Sequence, residues 1–491
     1  MDTEQLNRKI ISAAKWSTIA EILSRLVFPI SQMILARILA PDAFGVIATV
    51  TMIVSFADMF TDAGFQKYLV QHEFNSIVDK YKSANVAFWT NFVLSLFLWI
   101  ILVLFNQQVS FIVGNPGLGV VIIVSCIQLP LTAFSSIQIA LFRRDFDFKT
   151  LFIMRLVSIF IPFIITIPLA LIGFNYWSLI ISTIFTQIFN AVFLTIKSPW
   201  KPQWFYDFRV LKKMLSFSIW SLIESVSIWF TVWVDTFIVG YFLNEYYLGI
   251  YKTSTSMVNG LLGMVTAATT PVLFSALSRL QHNERQFNQL FYKFQRIVAL
   301  LLLPLGIGAF LYSDLATKIL LGNQWEEASS VIGIWALTSI IMIVYSHYCS
   351  EVYRAKGRPK LSFIAQVLHL IFLVPICLLS ARYGFWIFVI ARSISRLQMI
   401  IVQWIIMFFI IKISILKSFR NLLPVSIATI AMGLLGFLLQ TINESVIWSA
   451  VSIIICIIFY ICALVIIPNT RMDLFSLSSK IIPRNLHTIE R

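Results

Sequence analysis

The sequence predicts an all-α integral membrane protein with about fourteen transmembrane helices. Two compositional observations lead to this fold class, because 59% of the residues are hydrophobic and only 12% are charged. A soluble domain carries about a quarter charged residues, so the apolar surface of this chain requires a lipid environment. Long apolar stretches such as 151–172 reach the roughly 20 residues that a helix needs to cross a bilayer. They lack the alternation of membrane strands, and backbone groups in lipid must be bonded internally, so helices are predicted.

The predicted helices follow one another with short connections. They cover 11–38, 42–65, 83–106, 117–142, 149–172, 175–196, 211–240, 246–272, 291–313, 328–352, 361–381, 384–411, 421–440 and 445–468. Their connections alternate in charge: with the N-terminus inside, 29 of the 37 Lys and Arg lie in inside segments, and the outside segments hold Lys318 and Arg382. This asymmetry follows the positive-inside rule and predicts that both termini are cytoplasmic. It also explains the net charge of +15, so a nucleic-acid partner is not expected.

A weak internal repeat suggests how the helices are grouped. Leu39–Gly45 resembles Leu243–Gly249 at an offset of 204 residues, and Gly173 and Phe142-Arg143 match Gly384 and Tyr353-Arg354 at an offset of 211. Two six-helix lobes with the same orientation are therefore predicted, related by an axis along the membrane normal. The predicted divisions are an N-terminal lobe, a cytoplasmic linker, a C-terminal lobe, and a C-terminal helix pair with a basic tail: 1–196, 197–210, 211–411 and 412–491. The linker is basic and aromatic, which favours a position on the membrane surface, with an ordinary loop as the alternative.

Several chemistries are excluded by the motifs. The sequence contains no Gly-x-x-x-x-Gly-Lys-Ser/Thr loop, so ATP hydrolysis by that route is not expected. The five cysteines and five histidines have no metal-ligand spacing. No metal, cofactor or catalytic residue is therefore predicted.

Ionisable residues inside the predicted helices are the candidates for function. Charges at membrane depth are costly and usually face a cavity or one another. We expect a cationic cavity between the two halves for an anionic headgroup, because guanidinium groups match phosphate oxygens. Its candidate ligands are Arg25, Lys252, Arg392 and Arg396.

Acidic residues in the helices are candidates for charge pairing, gating or ion coupling. They are Glu21, Asp58, Asp62, Glu224 and Asp235. Glu21 and Arg25 are four residues apart on one helix and can pair. Pairing that only joins helices is the alternative for these charges. For Arg37 and Arg155, near helix ends, snorkelling to the interface is expected. For Asp58 and Asp62, helix capping and pairing with loop residues are equal alternatives to a proton or cation site.

Short strings in order along the chain resemble a known family. They include Ala36-Arg-Ile-Leu-Ala-Pro41-Asp-Ala-Phe-Gly45, Asp62-Ala-Gly-Phe65, Ala140-Leu-Phe-Arg-Arg144, Val234-Asp235-Thr-Phe-Ile-Val-Gly240, Pro271-Val-Leu-Phe-Ser-Ala-Leu-Ser278 and Leu321-Gly-Asn-Gln-Trp325. The chain resembles the polysaccharide flippases of the multidrug/oligosaccharidyl-lipid/polysaccharide exporter superfamily. The nearest branch exports lipid-linked repeat units of O-antigen, capsule and exopolysaccharide.

The resemblance implies a transporter rather than an enzyme. It implies alternating access that moves an undecaprenyl-pyrophosphate-linked oligosaccharide from the inner to the outer leaflet of a bacterial inner membrane. The implied partners are this substrate, membrane lipids, and a glycan polymerase or export machinery. The alternatives are a peptidoglycan-precursor flippase, a cation-coupled drug exporter and a membrane glycosyltransferase or polymerase. Such enzymes usually carry a large extracytoplasmic loop, whereas the longest outside loop here, at about 313–328, is short.

Overall fold

The computed structural model describes residues 3–62, 64–443, 445–466 and 470–471. The described residues contain 14 helical spans that are long and apolar enough to cross a membrane. This confirms the predicted fold class. The α-helices are α1 Thr3–Ile38, α2 Pro41–Asp62, α3 Phe65–Gln71, α4 Ile77–Leu104, α5 Asn106–Ile112, α6 Gly119–Cys126, α7 Gln128–Arg144, α8 Phe148–Leu171, α9 Tyr176–Lys197, α10 Phe208–Phe242, α11 Glu245–Arg279, α12 Glu284–Leu311, α13 Ser313–Leu320, α14 Ala328–Met342, α15 Cys349–Ala355, α16 Lys360–Ala381, α17 Phe385–Ser395, α18 Gln398–Ile406, α19 Ile415–Gln440 and α20 Val446–Ile466.

Three spans are interrupted where the sequence predicted continuous helices. The span Gly119–Arg144 consists of α6 and α7, and the span Ala328–Ala355 contains a π-helical turn at Ile343–His347. In the span Phe385–Ile411, α17 and α18 are separated at Arg396 and Leu397, and a second π-helical turn follows α18. Hydropathy reports the apolar length of a span, whereas the breaks depend on local hydrogen bonding that hydropathy does not measure.

Several helices also end at residues other than those predicted. The helix predicted at 246–272 continues to Arg279, and the next begins at Glu284, where the Asn283 side chain accepts a hydrogen bond from the Gln286 amide. Polar residues outside the bilayer can continue a helix, so the apolar stretch underestimates its length. In the opposite direction, α2 ends at Asp62 rather than at residue 65, and Gly64 follows with a left-handed φ of 80°.

The helices form two compact units. One contains the described residues up to Leu261 together with Cys377–Phe388, and the other contains Leu262–Ile376 and the described residues from Val389 onward. The first unit has separate apolar cores around α3, α4 and α7 and around α2, α6 and α10. In the second unit, α12 packs against α14 and α19, and α19 packs against α20 around one larger core. The division into lobes 1–196 and 211–411 stays a prediction.

The first repeat match has a direct structural counterpart in the first unit. A Cβ on Gly45 would lie 1.8 Å from the carbonyl oxygen of Glu245, and a Cβ on Gly249 would lie 1.9 Å from that of Pro41. Pro41 and Glu245 begin α2 and α11. The glycine near the start of α2 therefore lies against the first carbonyl group of α11, and the glycine near the start of α11 lies against the first carbonyl group of α2. A reciprocal contact between equivalent residues is what a two-fold arrangement produces.

The second repeat match appears as a shared backbone conformation. Phe146 and Gly357, 211 residues apart, have left-handed φ angles of 60° and 69°. After each, the next amide bonds back to the helix, from Asp147 to the Phe142 carbonyl at 2.9 Å and from Arg358 to the Tyr353 carbonyl at 2.8 Å. These bonds define the same helix-ending motif twice. The shared conformation supports the internal repeat read from the sequence.

The linker between α9 and α10 packs more closely than a surface segment would. The Asn85 side chain of α4 accepts hydrogen bonds from the Trp200 indole at 3.1 Å and from the Gln203 amide at 3.0 Å. Trp200 is 2% exposed, whereas Trp204 is 91% exposed and stacks on Trp89. Trp200 therefore belongs to the apolar core beside α4, and the position of the linker on the membrane surface stays a prediction.

Candidate functional site

The first candidate group joins α1 to α8. Glu21 accepts a hydrogen bond from Arg25 Nε at 2.8 Å and forms an ion pair with Arg155 Nη1 at 3.2 Å. The pairing of Glu21 with Arg25 is confirmed. Arg155 also has a partner that the sequence did not predict, because α1 packs against α8 and brings this carboxylate within reach, and the snorkelling of Arg155 stays a prediction. All three side chains are partly exposed, at 36% to 45%.

The second group joins α10 to α11 through Asp235. The Tyr251 hydroxyl donates to Asp235 Oδ2 at 2.8 Å, and the Thr236 amide donates to Oδ1 at 2.7 Å. Asp235 is 6% exposed. A buried carboxylate needs such donors, because its desolvation is otherwise too costly. The tyrosine is itself fixed by an edge contact with Phe388.

Lys252 lies one residue after Tyr251 and points to the same part of α10. Its Nζ lies 4.0 Å from the centroid of the Trp233 ring and donates to Thr236 Oγ1 at 3.2 Å. An ammonium over an indole face is a cation–π contact. The Thr236 hydroxyl also donates to Asp235 at 3.3 Å, so Lys252 and Asp235 share one polar network.

Asp58 lines a small cavity in the first unit, whose walls carry both apolar and polar side chains. The cavity holds about 220 Å³ between α2, α6, α7 and α9. Asp58 accepts a hydrogen bond from the Thr132 hydroxyl at 3.0 Å. The polar residues that line the cavity are Thr51, Ser55, Asp58, Ser125, Gln128, Thr132, Thr183 and Gln187. A carboxylate among hydroxyl and amide groups can bind a proton or a small cation.

Arg392 and Arg396 form the fourth group, in the second unit. Their guanidinium carbons lie 5.3 and 4.1 Å from the centroid of the Trp335 ring on α14. Arg396 Nη1 also donates to the Ser339 hydroxyl at 2.6 Å, and Arg392 is only 6% exposed. A cation at membrane depth is expensive, and an indole face provides a neutral electrostatic partner. The structure thus brings both arginines predicted on this helix to one tryptophan.

The break between α17 and α18 lies at Arg396. Backbone bonds here span three residues, with the Leu397 amide bonded to the Ile394 carbonyl and the Met399 amide to the Arg396 carbonyl. Just beyond it, His369 on α16 lies 3.1 Å from Gln398. Non-helical backbone at membrane depth is tolerated where protein or a polar cavity surrounds it.

Sequence reasoning missed the partners of these charges. Trp233, Trp335 and Ser339 lie in apolar stretches and carry no motif, and Tyr251 ends the short string Leu248-Gly-Ile-Tyr251, which resembles the family but gives the tyrosine no role. Each partner lies on a different helix from the charge that it contacts, so no sequence pattern near the charge points to it. Only the tertiary contacts reveal it. Two predicted residues cannot be placed, since the side chains of Asp62 and Glu224 lie outside the described part of the chain.

Together, the fold and these groups define a multi-pass, all-α membrane protein with ionisable side chains inside its spans. The family model described as polysaccharide biosynthesis protein matches residues 34–330. The chain therefore belongs to the polysaccharide biosynthesis protein family.

The individual relatives have low sequence identity to this chain, but the similarity extends over most of its length. The chain is 24% identical over 311 residues to the succinoglycan biosynthesis transport protein ExoT of Rhizobium meliloti, covering 63% of this chain and 62% of ExoT. It is 20% identical to the lipopolysaccharide biosynthesis protein WzxC of Escherichia coli, covering 77% of this chain and 76% of WzxC. The structure of the lipid II flippase MurJ in an inward closed conformation has a TM-score of 0.75 at 16% identity, covering 93% of this chain and 99% of MurJ. That likeness establishes a shared fold.

Proposed function

We propose that this protein moves lipid-linked oligosaccharide repeat units from the cytoplasmic to the outer leaflet of a bacterial inner membrane by alternating access. The observation that carries the proposal is the pair Arg392 and Arg396 on Trp335, inside a span of a polysaccharide biosynthesis family member. The names of the transport relatives support the same class of cargo. Family membership favours a transporter over a glycosyltransferase or polymerase.

The arginine pair suits the pyrophosphate that links such a glycan to its undecaprenyl carrier. A guanidinium presents two parallel N–H groups to phosphate oxygens, and charge-assisted bonds are about twice as strong as neutral ones. Both guanidinium groups lie against the Trp335 ring, and Arg396 also donates to the Ser339 hydroxyl, so two cations lie close together on one helix. In this proposal the anionic headgroup binds both of them. Arg25 and Lys252 are further cationic contacts in this proposal.

The acidic residues would balance these charges and couple transport to its driving force. Glu21 and Asp235 pair with groups on neighbouring helices, which suits a gate that opens when the pairing changes. Asp58, which lines a cavity beside hydroxyl and amide groups, is the candidate for proton or cation coupling, with Asp62 and Glu224 as the remaining acidic candidates. Either an ion gradient or the membrane potential supplies the driving force.

The charge asymmetry of the loops supports the direction of transport. It assigns both termini and the basic connections to the cytoplasm. Repeat units would enter from the leaflet in which they are built and be released on the opposite side. A glycan polymerase or export machinery would accept them there.

Neutralisation of the arginine pair tests this proposal in cells that make a repeat unit but lack their own flippase. The wild-type chain should restore surface glycan, whereas Arg392→Gln with Arg396→Gln should not, at equal membrane abundance. Arg382→Gln is the matched control, because Arg382 is an exposed arginine in the loop before α17. Surface glycan is measured per cell together with the protein level in the membrane.

Two outcomes would contradict the proposal. If the double variant restores surface glycan as well as the wild type, the arginines do not bind the headgroup. If the wild type restores growth in cells depleted of a peptidoglycan-precursor flippase but restores no surface glycan, the cargo is a peptidoglycan precursor.

A further inference from the structure

A second pocket, larger than the cavity beside Asp58, lies in the second compact unit, which also contains Arg392 and Arg396. It holds about 640 Å³. Its walls come from the connection between α12 and α14 and from the turn between α19 and α20. The lining residues are Leu311, Tyr312, Asp314, Leu315, Thr317, Lys318, Gly322, Asn323, Glu326, Ser329, Gln440, Asn443, Val446 and Ser449. By the loop charges, this end of the unit faces the outside.

The walls are tied together by hydrogen bonds that leave the interior open. The Gln440 side chain donates to the Leu311 carbonyl at 2.6 Å, which joins α19 to the end of α12. Ser329 donates to Ser313 at 3.1 Å and to the Asp314 carboxylate, which joins α14 to α13. These bonds fix the shape of the pocket without using Asn323 or Glu326. The pocket is therefore a built feature of this end of the unit.

The lining chemistry distinguishes between ligand classes. Amides and hydroxyls both donate and accept hydrogen bonds, as do the hydroxyl groups of a sugar. Two carboxylates, Asp314 and Glu326, outnumber the single cation Lys318, which disfavours an anionic guest. Among the described residues, no group of three or more acidic, histidine or cysteine side chains could hold a metal ion. The volume falls in the range of roughly 300–1,000 Å³ typical of small-molecule sites.

We propose that this pocket binds a neutral oligosaccharide, with Glu326, Asn323 and Asn443 as ligands to its hydroxyl groups. The role we assign it rests on the proposed transport function: it would hold the glycan part of a delivered repeat unit near the exit side. The C-terminal helix pair then has a function of its own, because α19 and α20 supply one wall. Binding itself does not require transport and can be measured separately.

The test uses the full chain in lipid nanodiscs and saturation-transfer NMR with three probes. The probes are cellotriose and N,N′,N″-triacetylchitotriose as neutral sugars and trigalacturonate as an anionic one. Glu326→Ala removes a lining carboxylate, and Asn323→Trp fills the pocket. Glu327→Ala is the matched control, since Glu327 is the next residue, is also exposed and does not line the pocket. Surface glycan in the flippase-deficient cells is measured for the same variants.

We expect at least one neutral probe to bind the wild type and Glu327→Ala, with binding about tenfold weaker in Glu326→Ala. Asn323→Trp should abolish the signal. The pocket assignment is overturned if neither neutral probe binds, if trigalacturonate binds better than both, or if the two pocket variants bind like the control. These results are independent of transport: loss of wild-type glycan export with intact binding counts against the proposed function alone.

Discussion

Two arginine-containing groups inside the spans differ in what holds them. Arg25 and Arg155 share one carboxylate, Glu21, and their side chains are 36% and 45% exposed. Arg392 and Arg396 lie against the indole of Trp335, and Arg392 is 6% exposed. The first group joins α1 to α8 through an ion pair, whereas the second places two guanidinium groups on one aromatic ring. We therefore expect the second group to contribute more to binding an anionic headgroup than the first.

Exchanging arginine for lysine should separate the two groups most strongly. Arg396→Lys should lower glycan export about tenfold, because an ammonium cannot make the bidentate contact or stack on the indole. Arg25→Lys should change export less than about twofold, because an ammonium can still pair with Glu21. Export is measured as initial rate of surface glycan formation at matched protein levels. If Arg396→Lys and Arg25→Lys lower export equally, the two groups do not differ in their contribution to headgroup binding.

The aromatic partner gives the next largest effect. Trp335→Leu should lower export by roughly fivefold, which corresponds to a cation–π contact of about 1 kcal/mol. Trp335→Phe retains a ring and should fall between the wild type and Trp335→Leu. Because Trp335 is 4% exposed, each variant is compared at equal amounts of folded protein, judged by size-exclusion chromatography. A leucine variant as active as the phenylalanine variant would argue against a role for the ring.

Lys252 on Trp233 offers the same contact in the first unit with a different cation. Lys252→Gln should lower export about 2- to 5-fold, in line with about 0.5–1 kcal/mol for a less buried cation–π pair. Lys252→Arg should retain most of the activity, because a guanidinium also stacks on an indole. The same export assay applies. If Lys252→Gln lowers export more than Arg396→Lys does, the main headgroup contact lies in the first unit.

The smallest effect is expected for the ion pair that joins α1 to α8. A double-mutant cycle with Glu21→Gln and Arg155→Gln should give a coupling free energy of about 0.6 kcal/mol, as for other partly exposed or intramembrane polar pairs. Thermal unfolding of the protein in nanodiscs measures it. A coupling above about 2 kcal/mol would show that this pair is a principal structural contact.

The internal repeat shows how much of the fold a short sequence pattern can predict. The match between Leu39–Gly45 and Leu243–Gly249 was visible as residue identity, and the structure adds the reciprocal contact of Gly45 with Glu245 and of Gly249 with Pro41. Glycine was required there because two backbones approach closely. The candidate site was less predictable: the arginines were found as charges in apolar stretches, but Trp335 was not distinguishable from the 13 other tryptophans.

By itself the sequence determined the number of spans, their expected orientation and the presence of an internal repeat. These properties depend on hydropathy, on loop charge and on short patterns, all of which are local along the chain. Only the tertiary structure decided that Arg155 pairs with Glu21, that Asp58 lines a cavity and that Arg396 lies at a helix break. Each of these depends on which helices pack together and at what height. Such contacts join residues far apart in the chain, and no single stretch of sequence encodes them.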